Sequence, residues 1–299
     1  MTTKKYIAFG LVFSSEIELP ELPVYKGDLY DISISSGNVP DNLENPLKKT
    51  VRFQIVENDF ILKVDNIAKY RVQNGNSIII EKEINASNDE VRLFMYGSAF
   101  AALFHQRGMM PLHASTVFNS DGAYAFAGNS GAGKSSISFS LIETGNFKLV
   151  SDDITIINYK NDNITVQPGM PHIKLWADVL EHTKKDISKL KNIRSEIQKY
   201  RYPVEDNFSS NPVQLKALFF LSSQHQPEIK INQVTGTEKF NLLQNNIFRS
   251  QFITGKLMQE KYFKLTAAVL QKIPVFRVIR PKQGFGIEIL RDKVLNSLK

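Results

Sequence analysis

Cysteine is absent from the 299-residue sequence. Disulfide bonds and thiolate metal sites are thereby excluded, so any bound metal must be held by oxygen or imidazole ligands. No apolar run approaches the roughly 20 residues that cross a bilayer. The opening residues 1–7 also lack the apolar stretch of a signal peptide. We therefore expect a cytoplasmic protein with no membrane partner.

Positive charge is in modest excess, since the sequence has 37 Lys and Arg but 30 Asp and Glu, for a net charge of +7 at pH 7. Apart from residues 184–201 the basic residues are scattered, and no basic face with interleaved aromatic residues stands out. The sequence therefore predicts no nucleic-acid partner. An apolar content of 42% is typical of a globular protein.

The first 86 residues consist of short apolar runs separated by turn residues. They predict strands at 6–14, 30–35, 51–56, 60–64 and 77–81. The pattern changes at Ser87, which has the spacing of a capping box with Glu90, and apolar residues then recur at helical spacing as far as Gly108. We predict a small β-rich domain over 1–86 and a second domain over 87–299.

The second domain alternates strand-like and helix-like segments, which indicates an α/β (α+β) fold. The predicted strands are 112–118, 123–127, 147–150, 154–159, 164–167, 215–221 and 275–279, and the predicted helices are 135–143, 177–183, 239–244 and 259–271.

A phosphate-binding loop follows the strand predicted at 123–127. Its residues are Gly128, Asn129, Ser130, Gly131, Ala132, Gly133, Lys134 and Ser135, with Ser136 next in the helix. Glycine permits the backbone conformations in which successive N–H groups face phosphate oxygens, and an apolar strand before the loop and a helix after it are the context that this motif requires. We expect ATP to bind here, with Lys134 on the β- and γ-phosphates and the Ser135 hydroxyl on Mg²⁺.

Two adjacent carboxylates, Asp152 and Asp153, end the short apolar strand predicted at 147–150. In an open α/β sheet this position lies at the carboxyl ends of the strands, beside the loop and its metal. One carboxylate can complete the metal shell while the other accepts a proton from an attacking hydroxyl. The alternative is a solvated turn, because Ser-Asp-Asp is also good turn chemistry.

His113 lies on the strand before the loop strand, 21 residues ahead of Lys134. A lone histidine can be a satisfied core residue, and this alternative stands beside a catalytic one.

His113, the loop and the paired aspartates, at these spacings, resemble the catalytic domain of bacterial HPr kinase/phosphorylase. The resemblance implies a P-loop domain akin to phosphoenolpyruvate carboxykinase, preceded here by the small β-rich domain. It also implies that Asp152 is the base toward a protein serine, that Asp153 binds the metal with Ser135, and that His113 supports Asp152.

The amino-terminal half points to a looser group within this resemblance. Phe9-Gly10-Leu11 and residues 14–22 are similar to the opening of HPr-kinase-like proteins that tailor ribosomal peptides, including lasso-peptide serine kinases. Residues 171–176 and 273–277 are similar to that group as well.

The sequence thus predicts an ATP- and Mg²⁺-dependent kinase that phosphorylates a serine of a peptide or small protein, with Asp152, His113 and Lys134 as catalytic residues. A kinase of small-molecule hydroxyls and a non-catalytic ATP sensor or assembly factor are the alternatives. Candidates for stabilising the transition-state charge are Arg249 and Arg277, and Lys174 is a candidate for contact with a phosphate or an acidic substrate; the alternative for each is a solvated surface residue. The oligomeric state is left open, a homo-oligomer included.

Overall fold

A computed structural model describes residues 3–194, 197–225, 227–282 and 286–298. Contacts divide the chain into two compact units, one formed by residues 1–111 with 247–267 and the other by 112–246 with 268–299. This division differs from the boundary predicted at 86–87. The helical segment after Ser87 belongs to the first unit because it packs on the sheet there: the Tyr70 hydroxyl donates to the carbonyl oxygen of Val91 over 2.9 Å.

The first unit is built on one mixed sheet of eight strands. They are β1 (Lys4–Ala8), β2 (Leu11–Ser15), β3 (Ile32–Ser36), β4 (Lys48–Lys49), β5 (Phe53–Val56), β6 (Asp59–Val64), β7 (Ala68–Gln73) and β8 (Ser77–Lys82). Their order is β1-β2-β3-β8-β7-β6-β5-β4, in which the β2–β3 and β3–β8 pairs are parallel. Strand β7 was not among the predicted strands, although every second residue in it is buried.

The strand predicted at 6–14 is interrupted at its centre by a two-residue turn. Phe9 and Gly10 both have positive φ, 56° and 71°, which is the conformation of the tight hairpin turn that matches strand twist. Phe9 accepts this unusual backbone while its ring is buried against Phe104, with ring centroids 5.1 Å apart. Residues 6–14 therefore form parts of two strands, β1 and β2, instead of one.

Helix α1 (Asn88–Phe94) begins at the capping box predicted from the sequence, and this prediction is confirmed. The Ser87 hydroxyl accepts from the Glu90 N–H while the Glu90 carboxylate accepts from the Ser87 N–H. A π-helical turn at Met95–Ala99 leads into α2 (Phe100–Gln106). Phe100 stacks on Phe13 of the sheet with ring centroids 4.9 Å apart, so the helical segment closes one face of the sheet.

The remaining strands follow in chain order. They are β9 (Met110–Leu112), at the passage from the first unit to the second, then β10 (Ala114–Asn119), β11 (Gly122–Gly128), β12 (Lys148–Ser151), β13 (Thr155–Lys160), β14 (Asn163–Gln167), β15 (His172–Trp176), β16 (Asn192–Arg194), β17 (Ile197–Pro203), β18 (Val213–Gln224), β19 (Lys230–Val234) and β20 (Val275–Pro281). The helices are α3 (Lys134–Ile142), α4 (Ala177–His182), α5 (Gly236–Asn245), α6 (Lys256–Lys272) and α7 (Ile287–Ser297), and 3₁₀ turns lie at Glu205–Asn207 and Ser250–Phe252.

The large sheet of the second unit has β11 at its centre. Strand β11 pairs antiparallel with β10 and parallel with β18, and all of its residues are buried. Strand β12 lies outside β10, while β20 and then β19 continue the sheet beyond β18. Because β11 and β12 end at the same edge, the loop after β11 and the aspartates after β12 meet there.

A smaller sheet of three strands, in the order β15-β17-β16, flanks this edge. None of its strands was predicted as an element, although residues 171–176 carry a short apolar pattern. Helix α3 packs between this sheet and the large one, in a core that contains Phe139, Ile173 and Phe219. Within the described part of the chain, no helix is both long and apolar enough to cross a membrane.

Candidate active site

The strand and the helix predicted on either side of the phosphate-binding loop (residues 128–135) are present as β11 and α3. Gly128 has a φ of 145°, and a Cβ added there would lie 2.4 Å from the carbonyl oxygen of Leu221 on β18. Gly133 caps helix α3 with a φ of 101°. These conformations suit glycine and expose the N–H groups of the loop and of the helix start, which favour an anion.

Lys134 is buried, and its ammonium is held by the loop itself. It donates to the carbonyl oxygens of Gly128 and Asn129 over 2.8 and 3.1 Å, and Nε2 of His113 lies 3.0 Å away. Burial lowers the pKa of Lys134 to about 8, although Asp152 and Asp153 act in the opposite direction. Lys134 therefore gives the loop a cation whose charge is sensitive to pH near neutrality.

Asp152 is the carboxylate that lies next to Ser135. The Ser135 hydroxyl donates to Oδ1 of Asp152 over 2.8 Å, and the N–H of Lys174 on β15 donates to Oδ2 over 2.9 Å. The sequence-based expectation joined Ser135 to Asp153 instead. The structure joins Ser135 to the first carboxylate because β12 ends at Ser151 and the chain turns sharply immediately after Asp152.

Asp153 faces a different set of partners. Its φ of 72° is left-handed, and its side chain, 32% exposed, turns toward Lys174, whose ammonium lies 2.6 Å from Oδ2. Nδ1 of His113 lies 3.6 Å from Oδ1. Burial alone would raise the pKa of Asp153, but the Lys174 ammonium, together with the contact to His113, outweighs it and holds that pKa below its ordinary value. Asp153 is thus a carboxylate that lies between the Lys174 ammonium and the His113 ring.

His113 connects Lys134 with Asp153, whereas the resemblance paired it with Asp152. Its Nδ1 lies 3.1 Å from the backbone oxygen of Asp153. An ammonium donates only, so Nε2 accepts from Lys134 and we infer that the ring proton is on Nδ1, which donates to that oxygen. Burial, together with the charge of Lys134, lowers the pKa of His113. The ring is therefore neutral at pH 7. It links Lys134 to Asp153 by hydrogen bonds and adds no charge to the site.

One cavity of 490 Å³ contains these groups. Its lining residues include His113, Lys134, Ser135, Ser136, Asp153, Lys174, Trp176, Lys199, Arg280 and Lys282. Asp153 is among the described residues that line it, and Asp152 is not. The cavity therefore presents the carboxylates of Asp153 and Asp178, the phosphate-binding loop and several cations to whatever enters it.

Arg280, at the end of β20, was missed by sequence reasoning. Its guanidinium donates to the carbonyl oxygens of Gly131 and Ala132 over 2.8 and 2.9 Å, so it fixes the outer turn of the loop. The two arginines named from the sequence lie elsewhere: Arg277 pairs with Glu238 at 2.9 Å, and Arg249 belongs to the first unit, over the ring of Phe248. The pairing of β20 with β18 brings Arg280 to the loop, and no local sequence signal marks it.

The donor set is suited to Mg²⁺. The Ser135 hydroxyl and the Asp152 carboxylate, with Oγ and Oδ1 2.8 Å apart, are hard oxygen donors next to loop 128–135. Mg²⁺ is held by one or two protein carboxylates together with substrate phosphates and water, so a larger protein cage is not required. Across the described residues, no group of three or more His, Cys, Asp or Glu side chains could hold a metal unaided. A metal held by Ser135 and Asp152 would therefore depend on the phosphates of a nucleotide for further ligands.

No known protein-family model matches the sequence, and no curated protein matches it either. Among solved structures, the chain is similar to the Hpr(Ser) kinase/phosphatase from Coxiella burnetii. The similarity covers 62% of this chain and 89% of that chain, at 13% sequence identity and a TM-score of 0.34. A likeness of this size does not define an activity.

Proposed function

We propose that this protein is an ATP- and Mg²⁺-dependent kinase that transfers the γ-phosphoryl group to a serine hydroxyl of a peptide or small protein. The observation that supports this most directly is one cavity that holds both the phosphate-binding loop and the carboxylate of Asp153. Phosphoryl transfer asks little covalent chemistry of the protein, so a site that positions and neutralises phosphates beside a proton acceptor is sufficient.

The loop N–H groups, Lys134 and the start of α3 hold the phosphates of ATP in this proposal. Lys134 exchanges part of its contacts with Gly128, Asn129 and His113 for phosphate oxygens. Ser135 and Asp152 would hold Mg²⁺, which would supply positive charge next to the β- and γ-phosphates. Asp152 suits this role because it already accepts a hydrogen bond from the Ser135 hydroxyl and is oriented by the N–H of Lys174.

Asp153 accepts the proton of the acceptor hydroxyl. As the serine oxygen bonds to the γ-phosphorus, the bond to the β-phosphate oxygen breaks, its electron pair leaves with ADP, and the hydroxyl proton passes to the Asp153 carboxylate. Lys174 keeps Asp153 ionised and His113 supports its backbone. This assignment exchanges the two carboxylate roles that the resemblance implies, on the ground that Asp153 faces the cavity and Asp152 faces Ser135.

Matched variants test the proposal. Wild type, Asp152→Asn and Asp153→Asn are incubated with Mg²⁺, ATP and serine-containing peptides; transfer is measured by mass spectrometry and ATP binding by calorimetry. We expect Asp153→Asn to bind ATP with Mg²⁺ normally but to lose transfer by about 100-fold or more. We expect Asp152→Asn to lose the gain in ATP affinity that Mg²⁺ provides.

The alternatives give different outcomes. Transfer to small hydroxyl compounds is measured by the release of ADP. A wild-type protein that binds ATP but transfers phosphate neither to a peptide nor to a small hydroxyl compound would favour an ATP sensor. Release of ADP with a small hydroxyl compound alone would favour the small-molecule kinase. Transfer by Asp153→Asn at the wild-type rate, with loss in Asp152→Asn, would restore Asp152 as the base.

A further inference from the structure

Lys174, Trp176 and Lys199 lie on one face of the small sheet. Residues two apart on a strand share a face, which places Trp176 beside Lys174 on β15. Lys199 of β17 is the direct cross-strand partner of Trp176, and its ammonium lies 5.7 Å from the centroid of the Trp176 ring. All three residues line the cavity that contains Asp153.

This face adjoins the acceptor side of the proposed reaction. Lys174 donates to Asp152 through its N–H and to Asp153 through its ammonium, so β15 is fixed at the carboxylates. The phosphate-binding loop is contacted by Arg280 from β20, a strand of the large sheet. The small sheet therefore lies next to Asp153, the proposed proton acceptor, whereas Arg280 lies next to the loop proposed to bind the phosphates.

The segment that contains β16 and β17 is strongly basic. The segment 184–203 has seven Lys and Arg but two Asp and Glu, a net charge of +5 out of +7 for the whole chain. Ser195 and Glu196 of this segment lie outside the described residues. Some of its cations are committed to carboxylates, as Lys185 is to Glu143 at 2.9 Å. Lys199 contacts the ring of Trp176, lines the cavity, and acts by its charge on Asp153.

Trp176, the single tryptophan of the chain, is 41% exposed. A large aromatic ring at the mouth of a cavity, with a cation held over it, provides an apolar surface and a charged contact side by side. Such a pair fits an extended peptide with an acidic side chain. Trp176 lies two residues from Lys174, about 7 Å along the strand, which matches about two residues of extended peptide.

We propose, on the basis of the function proposed above, that the acceptor serine is flanked by an acidic residue within about two positions, whose carboxylate binds Lys199 while the peptide packs on Trp176. Lys199 is then a specificity-determining residue for the acceptor. Nucleotide binding depends on other residues, because Lys134 and the loop supply it.

A charge exchange tests this assignment. Two peptides each contain one serine, with Glu in one peptide and Lys in the other at the second position before and after that serine. The kcat/KM of each peptide as acceptor is measured for wild type and for Lys199→Glu. We expect wild type to prefer the Glu peptide by about fivefold or more and Lys199→Glu to reverse the preference. Lys189→Glu is the matched control, because it changes the net charge of the same segment equally at an exposed residue that is not among the described residues lining the cavity.

Each other outcome overturns the inference. Equal loss of preference in Lys199→Glu and Lys189→Glu would show general attraction of polyanions, and an oligonucleotide that competes with the peptide would then define the partner class. A higher KM for ATP in Lys199→Glu, with transfer to both peptides reduced alike, would make Lys199 a nucleotide contact. Transfer without any preference would overturn this inference but leave the kinase intact, whereas absence of transfer to both peptides would overturn the proposed function with it.

Discussion

The Lys134 ammonium lies 3.0 Å from Nε2 of His113, in a partly buried contact that joins the phosphate-binding loop to the residue between β9 and β10. The same ammonium donates to Gly128 and Asn129. Its protons are thus directed to the protein, and in the proposed function phosphate oxygens replace some of these acceptors. The proposed nucleotide affinity then depends on the protonation of Lys134 and on the loss of these contacts.

Affinity for ATP should fall as pH rises through about 8. The pKa of Lys134 is lowered to about 8 by burial, so the free protein loses this charge at higher pH and must take up a proton to bind phosphate. Above pH 7 the nucleotide phosphates are already ionised and contribute no slope. We expect about a tenfold loss of affinity between pH 7 and pH 9, measured by calorimetry. Lys134→Arg keeps its charge over this range and should give a flat profile; an unchanged slope in it would rule out Lys134 as the source.

Replacement of Lys174 by Met should move the acid limb of the pH–rate profile. The Lys174 ammonium lowers the pKa of Asp153, and without it that pKa rises. Since Asp153 must be ionised to accept a proton, activity would be lost at a higher pH as the solution is acidified. We expect the limb in kcat/KM to shift upward by about one pH unit or more. The backbone N–H that orients Asp152 is retained, and Lys189→Met, which removes an equal charge elsewhere, should leave the limb in place.

Gly128→Ala should destabilise the second unit more than Gly131→Ala. Both glycines have positive φ, 145° and 80°, so both substitutions introduce backbone strain. At Gly128 the new Cβ would also lie 2.4 Å from the Leu221 carbonyl oxygen, whereas at Gly131 it meets no described atom within 4 Å. We expect losses of about 1 kcal/mol for Gly131→Ala and of at least about 2 kcal/mol for Gly128→Ala in urea unfolding. Equal losses would mean that the contact with β18 is relieved by a small shift.

Tyr262→Phe should weaken the first unit. The buried Tyr262 hydroxyl contacts Nδ1 of His105 and donates to the carbonyl oxygen of Met109 over 2.6 Å, so it fixes the returning segment 247–267 to the helical one. Its removal leaves buried polar atoms with fewer partners, and we expect the free energy of unfolding to fall by about 1–3 kcal/mol. Tyr30→Phe, at a ring that is 56% exposed, should change it by less than about 0.5 kcal/mol. A similar change in both variants would contradict this role.

Local chemistry made several elements predictable. The reciprocal hydrogen bonds of Ser87 and Glu90 involve residues three apart, and the loop over 128–135 needs only its own glycines and the helix that follows. The hairpin of β10 and β11 likewise turns where residues 119–122 indicate a turn. Each of these features depends on interactions within a few residues, which a single sequence contains.

Other elements were missed because their stabilisation is distant. Strand β15 joins a sheet only through its pairing with β17, in which His172 lies opposite Pro203 and Trp176 opposite Lys199, whereas β16 and β17 are neighbours in the chain. The first unit also takes in residues 247–267, which are separated by more than 130 residues from the rest of it. Periodicity within a short window carries no information about such partners.

The candidate site shows the same division. The sequence by itself determined that a glycine-rich loop, a lysine, a serine and two consecutive carboxylates follow strands, because motif spacing and strand ends are local. The tertiary structure alone decided which carboxylate faces Ser135 and which faces the cavity, since the left-handed backbone of Asp153 and the position of Lys174 on β15 direct the two side chains apart. It also decided that Arg280 and Lys199 reach the site, because sheet pairing between distant strands places them there.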